Sequence, residues 1–172
     1  MQTYFSIQRS RLHTVCCIIL LLLLCFNPRL LFAAQPHTVP AGPDTEIEVT
    51  VYKSAGDTVF LWLYSEEGPQ KEENAIAKQL VNHGIEVWRV DLFSAHFLPV
   101  AGSSMDQIPD ADFGYLIEHA AQQTGKKVIP ITTGRGSSPV LRGVHLWQSQ
   151  HPKSQAVPGV ILISPKFYLE TP

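Results

Sequence analysis

Cysteine is missing from most of this 172-residue sequence. The three cysteines that it does contain, Cys16, Cys17 and Cys25, all lie in a short apolar run near the N-terminus. From Gln35 onward, no residue can form a disulfide, act as a thiolate nucleophile or bind a metal through sulfur. Thiol-dependent catalysis and cysteine-based metal sites are therefore excluded for this part of the chain, and the sequence predicts no metal site and no cofactor.

A basic surface is also missing. Arg9, Arg11 and Arg29 belong to the N-terminal segment, so the chain from residue 35 onward has ten basic and fifteen acidic residues, a formal charge of −5. Domains that bind nucleic acid usually carry clustered lysine and arginine that neutralise phosphates. We therefore expect a small molecule or a protein as partner, of unknown identity, and no nucleic acid.

The longest apolar run, residues 15–26, has only 12 residues. A helix that spans a bilayer needs roughly 20 apolar residues. Basic residues before this run and small residues after it are typical of a secretory signal, which we place at residues 1–34. Arg29 and Phe32 fit a cleavage site poorly, so an uncleaved anchor in the inner membrane is the alternative. Either way the body is predicted to be exported, to the periplasm or outside the cell, and to meet the membrane only through residues 15–26.

The body divides into a linker and one domain. Residues 35–45 are rich in proline and glycine and are predicted to be a linker. Residues 46–172 alternate strand-type and helix-type patterns, and the five predicted strands are residues 46–52, 58–64, 85–90, 127–131 and 160–164. Strands that alternate with helices indicate the α/β class, with a mostly parallel sheet and helices on both faces.

The predicted helices are recognised by apolar residues at helical spacing. Their stripes are Ile76, Ala77, Leu80 and Val81; Phe113, Leu116, Ile117, Ala120 and Ala121; and Val140, Val144 and Trp147. Gly84 and Gly125 are placed to end the first two helices, and Asp110 or Asp112 to begin the second. Ser138 and Pro139 fit the cap and first position of the third helix. Residues 93–109 are predicted to be a loop.

The stretch Thr-Thr-Gly-Arg-Gly, residues 132–136, follows a predicted strand and precedes a predicted helix. A strand–turn–helix of this kind exposes the nucleophile in α/β-hydrolases. Over residues 46–164, the order of elements resembles the N-terminal half of that family. The resemblance implies an α/β-hydrolase-like fold that is incomplete at the C-terminus, in which residues 58–64 are the third strand, 85–90 the fourth and 127–132 the fifth.

The family's nucleophile turn usually reads Gly-x-Ser-x-Gly. The best overlay here places Gly134 at the nucleophile position, and glycine has no side chain that could attack a substrate. Ser137 and Ser138 are weaker candidates, because arginine and proline flank them. The resemblance implies that the oxyanion hole would use the N–H of Arg135 and the loop at residues 64–67, where Glu66 and Glu67 would repel an oxyanion.

The other members of a triad are missing as well. The family's chain order is nucleophile, acid, histidine. After Gly134 the only acid is Glu170, and no histidine follows it. His145 and His151 are interpreted as core or surface residues. A sheet that ended at residues 160–164 would leave an apolar edge strand without a partner, which favours the chain being a fragment of a longer protein.

Three functions follow from these patterns. The first is an exported α/β-hydrolase-like module that is non-catalytic or an accessory part of a larger envelope protein. The second is a serine hydrolase, of esterase type, whose acid and histidine lie beyond residue 172. The third is an anion-binding domain that uses the loop of Arg135, Gly136, Ser137 and Ser138, for which a plain tight turn is the simpler interpretation.

Other side chains are given structural roles. The glutamates Glu66, Glu67, Glu72 and Glu73 are expected to be solvated, and Trp62, Trp88 and Trp147 to lie in the core. The aspartates at 106, 110 and 112 lack the glycine and glutamate of a calcium-binding EF-hand loop.

Overall fold

The computed structural model describes residues 34–42 and 45–167. The predicted signal at residues 1–34, apart from Ala34, and Glu170 lie outside this part of the chain. Within it, no helix combines the length and the apolar character that crossing a membrane requires.

Six strands and four α-helices make up the described domain. The strands are β1 (Gln35–Pro40), β2 (Glu46–Tyr52), β3 (Thr58–Leu63), β4 (Ile85–Val90), β5 (Lys127–Thr133) and β6 (Ile161–Ile163). The α-helices are α1 (Lys71–Asn82), α2 (Leu92–Ala95), α3 (Asp110–Thr124) and α4 (Ser137–Gln150). Two 3-10 helices, Gly102–Gln107 and Gly134–Gly136, precede α3 and α4.

The strands form one sheet in the order β1-β2-β4-β3-β5-β6. The pairs β1–β2 and β2–β4 are antiparallel, whereas β3–β4, β3–β5 and β5–β6 are parallel. Successive side chains of a strand point to opposite faces. On β3, Leu61 belongs to the core cluster with α3 and α4, and Trp62 to the cluster with α1. Helices therefore cover both faces, and the predicted mostly parallel α/β sheet is confirmed.

The prediction that residues 35–45 form a linker is wrong for its first half. Gln35–Pro40 is a strand that pairs antiparallel with β2, from Gln35 opposite Val51 to Pro40 opposite Glu46. Val39 is fully buried. Because β1 is an edge strand, its two prolines can direct their missing N–H groups away from the ladder. With β1 counted, β3, β4 and β5 are the third, fourth and fifth strands, as the resemblance implied.

The ends of two helices differ from the prediction. Neither Asp110 nor Asp112 caps α3: Pro109 occupies the cap position, and Asp112 instead contacts His96. Helix α4 begins at Ser137, two residues earlier than expected, with Gly136 at the cap position and Pro139 third. Proline is tolerated there because the first four N–H groups of a helix have no partner within the helix.

Some burial predictions are also corrected. Ile76, expected on the inner face of α1, is 45% exposed, while Glu73 of the same helix is buried. The predicted loop at residues 93–109 contains most of α2 and a 3-10 helix. The apolar run at residues 160–164 is typical of a buried strand, but among the described strands β6 pairs only with β5, and Ile161 and Ile163 are exposed. The three tryptophans are each 3% exposed and lie in the core as predicted.

Pro130 lies inside β5, a central strand, where proline removes a donor. Pro130 is opposite Leu61 of β3. On its other side, β5 pairs with β6 only from Ile131 onward. The strand can therefore carry a proline, because the second ladder has not yet begun at that position.

Candidate functional site

The strand–turn–helix predicted at residues 132–136 is present. Strand β5 ends at Thr133, a single 3-10 turn covers Gly134–Gly136, and α4 starts at Ser137. Gly134 has a φ of +55°, in the left-handed region where residues with side chains are strained. The turn thus has the sharp backbone of a nucleophile turn and the one residue type that suits it best.

The carboxylate of Glu66 occupies the space where a nucleophile would project. A Cβ atom built on Gly134 would lie 2.5 Å from Glu66 Oε2 and 2.8 Å from Oε1. Oε2 also accepts a hydrogen bond of 2.8 Å from the backbone N–H of Arg135. Arg135 follows the nucleophile position, so this N–H is the group that the resemblance assigns to the oxyanion hole. A side chain of the protein itself therefore fills both positions.

Glu66 is held there as an anion. Burial favours the neutral carboxyl, but the hydrogen bonds from the N–H groups of Arg135 and Glu66 itself, together with Lys166, outweigh burial and lower the pKa of Glu66. The Lys166 ammonium lies 3.0 Å from Glu66 Oε1. The sequence indicated that Glu66 would oppose an oxyanion, and the geometry makes the opposition direct, because the carboxylate already uses the donor.

Lys166 also fastens the segment after β6 across the turn. Its backbone N–H donates to the carbonyl oxygen of Gly134 over 3.0 Å, while its side chain reaches Glu66. Sequence reasoning missed Lys166, because it follows the last strand and belongs to no local motif. Its contacts with Gly134 and Glu66 join it to residues 32 and 100 positions earlier in the chain.

The two serine candidates have different environments. Ser137 is fully buried, and its hydroxyl has no hydrogen-bond partner among the described residues. Ser138 is half-buried, and its Oγ accepts a 2.6 Å hydrogen bond from Arg142 Nη1. Within the described residues, neither hydroxyl is hydrogen-bonded to a histidine or a carboxylate, so neither is activated as a nucleophile.

The four residues predicted to bind an anion do not share one surface. The Arg135 side chain packs against Gly102 and lines a small cleft of about 30 Å³ together with Ser138 and Lys166. Gly136 is buried, and a Cβ atom at this position would lie 2.1 Å from Thr132 Oγ1. Of the predicted set, only Arg135 and Ser138 line this cleft.

The larger cleft at the turn, about 310 Å³, lies at the carboxyl ends of β3, β5 and β6. It is lined by Ser65, Glu66, Glu67, Gln70, Glu73, Thr133, Gly134, Ile163, Ser164 and Lys166. Ligands of α/β sheets bind at this end of the strands. The described lining includes three glutamates and one lysine and no histidine, the side chain that most often acts as a general base.

Beneath this cleft is a buried ion pair that sequence reasoning did not predict. Arg89 of β4 is 2% exposed and donates to Glu73 and Asn74 of α1. Its guanidinium lies 4.5 Å from the centre of the Tyr64 ring. Glu73 was expected to be solvated, and this expectation is wrong. An arginine inside a strand of apolar residues is a sequence signal for such a pair, because arginine is rarely buried unless it is paired.

His145 and His151 are placed as surface residues. His145 is exposed. The His151 ring stacks on Trp147 with the ring centres 4.8 Å apart, and its Nε2 lies 3.4 Å from Glu118. Both residues lie in or directly after α4, and neither has a contact with the cleft at the turn.

The ion pair of Glu66 predicts a pH-dependent stability. We expect Glu66→Gln to lower the free energy of unfolding at pH 7 by about 1–3 kcal/mol, since a hydrogen-bonded charge is replaced by a neutral amide. A lowered pKa means that the carboxylate stabilises the fold above its ordinary pKa of about 4.3, and that this contribution is lost as the pH falls through the folded value. Urea unfolding of both proteins at pH 7 and pH 3 measures the difference.

The matched control for this experiment is Glu67→Gln, because Glu67 is the exposed neighbour of Glu66. We expect this variant to stay within about 0.5 kcal/mol of the wild type at both pH values. A Glu66→Gln deficit that is as large at pH 3 as at pH 7 would contradict the ionic role of Glu66.

No family model matches the sequence, and no curated protein gives a significant match. Solved structures do match by fold. An esterase from Pyrococcus furiosus superposes with a TM-score of 0.59 at 14% identity, over 84% of this chain and 56% of that one. A carboxyl esterase from Bacillus coagulans gives 0.54 at 11% identity, over 76% and 44%. The thioesterase domain from the curacin biosynthetic pathway gives 0.54 at 16% identity, over 81% and 49%.

These structures share the fold of this chain at identities too low to transfer an activity. The chain spans about half the length of the structures that it matches. The sheet order, the parallel central strands and the turn after β5 agree with the resemblance noted in the sequence. The described residues therefore have a partial α/β-hydrolase fold.

Proposed function

We propose that this protein is an exported, non-catalytic module of the α/β-hydrolase fold that acts in binding or as an accessory part of a larger envelope protein. The observation that carries the proposal is the position of the Glu66 carboxylate, which accepts the Arg135 N–H at the place where a catalytic turn leaves room for substrate. Export rests on the pattern of residues 1–34. Recovery of the intact protein only from the cytoplasmic fraction would refute export.

Ester hydrolysis on this fold needs a nucleophile, a base and an open oxyanion hole. The nucleophile position holds Gly134, which has no side chain. The cleft is lined by no histidine among the described residues. The oxyanion donor of Arg135 is 2.8 Å from a carboxylate oxygen, so an incoming oxyanion would meet a like charge. The three requirements are independent: a nucleophile introduced at position 134 would supply neither a base nor an open oxyanion hole.

The purified protein is expected to show no turnover of p-nitrophenyl acetate or butyrate above the buffer rate. A fluorophosphonate probe is expected to leave both Ser137 and Ser138 unlabelled, which intact-protein mass spectrometry measures. Saturable hydrolysis that the phosphonate abolishes would refute the proposal. A Ser138→Ala variant measured in parallel identifies the residue responsible if labelling does occur.

A serine hydrolase completed by residues beyond 172 is the competing proposal. It is supported by the esterase neighbours, by the chain spanning about half their length, and by the exposed apolar outer side of β6. This function would use Ser137 or Ser138 as nucleophile. Unchanged turnover in both Ser137→Ala and Ser138→Ala, made in the longest form of the protein, would exclude it.

An anion-binding function is favoured by one specific observation. The turn already binds an anion, since Glu66 is held by the Arg135 N–H and by Lys166. The small cleft beside Arg135 and Ser138 would admit an anion of the size of phosphate only after a local opening. Calorimetry with inorganic phosphate tests this function, with Arg135→Ala as the variant and Lys153→Ala, an exposed cation elsewhere, as the control. Binding that Arg135→Ala leaves unchanged would exclude it.

A further inference from the structure

Two histidines meet at the opposite side of the domain from the turn. His37 lies on β1 and His119 on α3, and their Nε2 atoms are 3.1 Å apart. The two ring centres are 5.3 Å apart, and both rings lie close to Trp88 of β4, at 5.8 and 6.0 Å. These contacts bring together residues 82 positions apart in sequence, from an edge strand, a helix and an inner strand. The proposed function gives no role to either histidine.

We propose that His37 and His119 form a binding site for a divalent transition-metal ion. Imidazole nitrogens bind Zn²⁺ at about 2.0–2.1 Å in a tetrahedral arrangement, which places two such nitrogens roughly 3.3 Å apart. The observed separation of 3.1 Å differs from this by an amount that a small ring rotation supplies. An ion about 2.0–2.1 Å from both nitrogens lies to one side of the line that joins them, and each ring must turn its Nε2 lone pair toward that point.

Each ring can present a free Nε2 lone pair when its proton is carried on Nδ1. A metal ligand must be a neutral imidazole. Without metal, one ring can donate a hydrogen bond to the other. When an ion binds, the ring that donated from Nε2 takes the tautomer that is protonated on Nδ1, and both Nε2 atoms then supply a lone pair.

Two ammonium groups and one carboxylate lie beside His37, and the ammonium groups weaken the attraction of the site for a cation. Lys53, Lys126 and Glu86 line the cleft of about 360 Å³ next to His37. The carboxylate of Glu86 is engaged by Lys126 over 2.6 Å and by Trp88 Nε1 over 2.7 Å. The bond from Trp88 also fixes the orientation of the indole against which both histidines rest, so the two rings are held in place before the ion arrives.

The composition of the site limits which ion it takes and how tightly. No group of three or more histidine, cysteine, aspartate or glutamate side chains that could hold a metal occurs in residues 34–42 and 45–167. Only two protein ligands are thus available, and water from the cleft completes the coordination. Imidazole ligands favour Cu²⁺, Ni²⁺ and Zn²⁺ over Mg²⁺ and Ca²⁺. The site is therefore an exchangeable one for these ions.

Binding would also fasten the edge of the sheet. Among the described strands, β1 pairs only with β2, and His37 adds a contact between β1 and α3. A ligand that binds the folded state and not the unfolded state raises stability in proportion to its concentration relative to its dissociation constant. An ion bridging His37 and His119 would stabilise the attachment of β1 to the domain.

Calorimetric titration of tag-free protein with Zn²⁺ at pH 7.5 tests the site. We expect one ion per chain, and a loss of affinity of at least about tenfold in His37→Gln and in His119→Gln, the lower end of what even indirect changes to a metal site cost. The control is His145→Gln, an exposed histidine of α4, which should leave binding unchanged. Zn²⁺ should raise the melting temperature of the wild type and of His145→Gln only, and Mg²⁺ should have no effect.

Two outcomes would overturn the proposal. One is the absence of Zn²⁺ binding by the wild-type protein. The other is binding that neither His37→Gln nor His119→Gln weakens, which would place the ion elsewhere. Titration at pH 5.5 adds an independent readout. Protons compete with metal ions for imidazole, so Zn²⁺ should bind more weakly there, and an affinity that does not change with pH would contradict ligation by histidine.

Discussion

Replacing Glu73 with glutamine is expected to lower the free energy of unfolding by about 3–5 kcal/mol, because the buried Arg89 loses its carboxylate. Arg89 is 2% exposed, and Glu73 is the only carboxylate with which it forms an ion pair among the described residues. The amide of glutamine can still accept a hydrogen bond but carries no charge. Chemical denaturation measures the loss. Glu72→Gln, an exposed neighbour in the same helical turn, should change stability by less than about 0.5 kcal/mol.

The double variant separates charge from packing. Replacing a whole buried ion pair with apolar residues of similar volume is often close to neutral, whereas removing one partner leaves a buried charge. Glu73→Leu combined with Arg89→Met is therefore expected to be more stable than Glu73→Leu alone. A double variant that loses the sum of both single losses would contradict the argument, since it would mean that the two side chains act independently.

The second large effect is expected at Gly134. Gly134→Ala should lower the free energy of unfolding by about 3–5 kcal/mol. Left-handed backbone costs a residue with a side chain about 1–2 kcal/mol, and hydrogen bonds to a charged group contribute about 1.5–3 kcal/mol each. The added Cβ atom would overlap the Glu66 carboxylate, at 2.5 Å from Oε2, and would break the bond to the Arg135 N–H.

Gly125→Ala is the matched control. Gly125 has a similar φ of +65°, but a Cβ atom there meets nothing within 4 Å. Its cost should be that of the backbone alone, about 1–2 kcal/mol. In a Glu66→Gly background, the cost of Gly134→Ala in free energy of unfolding should fall to the same range. Equal costs at Gly134 and Gly125 in the wild-type background would show that Glu66 does not occupy the turn in solution. Denaturation of the wild type, Gly134→Ala, Glu66→Gly and the double variant measures the coupling between the two positions.

The consequence for function is that a serine at position 134 should not create an esterase. Gly134→Ser would place its hydroxyl against a carboxylate that already holds the oxyanion donor, and no histidine among the described residues lines the cleft. The single substitution would supply a hydroxyl, but it would supply neither a histidine nor an open oxyanion donor. This is why the occupied turn, more than the glycine alone, supports a non-catalytic function.

Strands and helices were predictable where short-range patterns repeat. Polar–apolar alternation located β2 at residues 46–52, and an apolar run located β3, which was predicted at residues 58–64 and ends at Leu63. Gly125 ended α3 in the left-handed conformation, as its position indicated. Strand β1 was missed because its two prolines argue against a strand, and only its place at the edge of the sheet makes them acceptable.

The candidate site was predictable in outline and not in its contacts. The strand–turn–helix pattern located Gly134 at the nucleophile position, and the order of elements placed the loop of Glu66 near the oxyanion donor. Lys166 could not be assigned, because its partner Glu66 lies 100 residues away. The ion pair of Arg89 and Glu73 joins β4 to the preceding helix α1 across 16 positions of sequence, so it too lies outside any local motif.

The amino-acid sequence alone determined the class of fold, the position of the sharp turn and the absence of a side chain at its nucleophile position, because backbone conformation depends on local residue type. Only the tertiary structure decided which charges meet. Glu66 enters the oxyanion position, Arg89 is buried against Glu73, and His37 faces His119 because separate elements pack at those places. Contacts between residues that are distant in sequence depend on three-dimensional packing, and no local pattern records them.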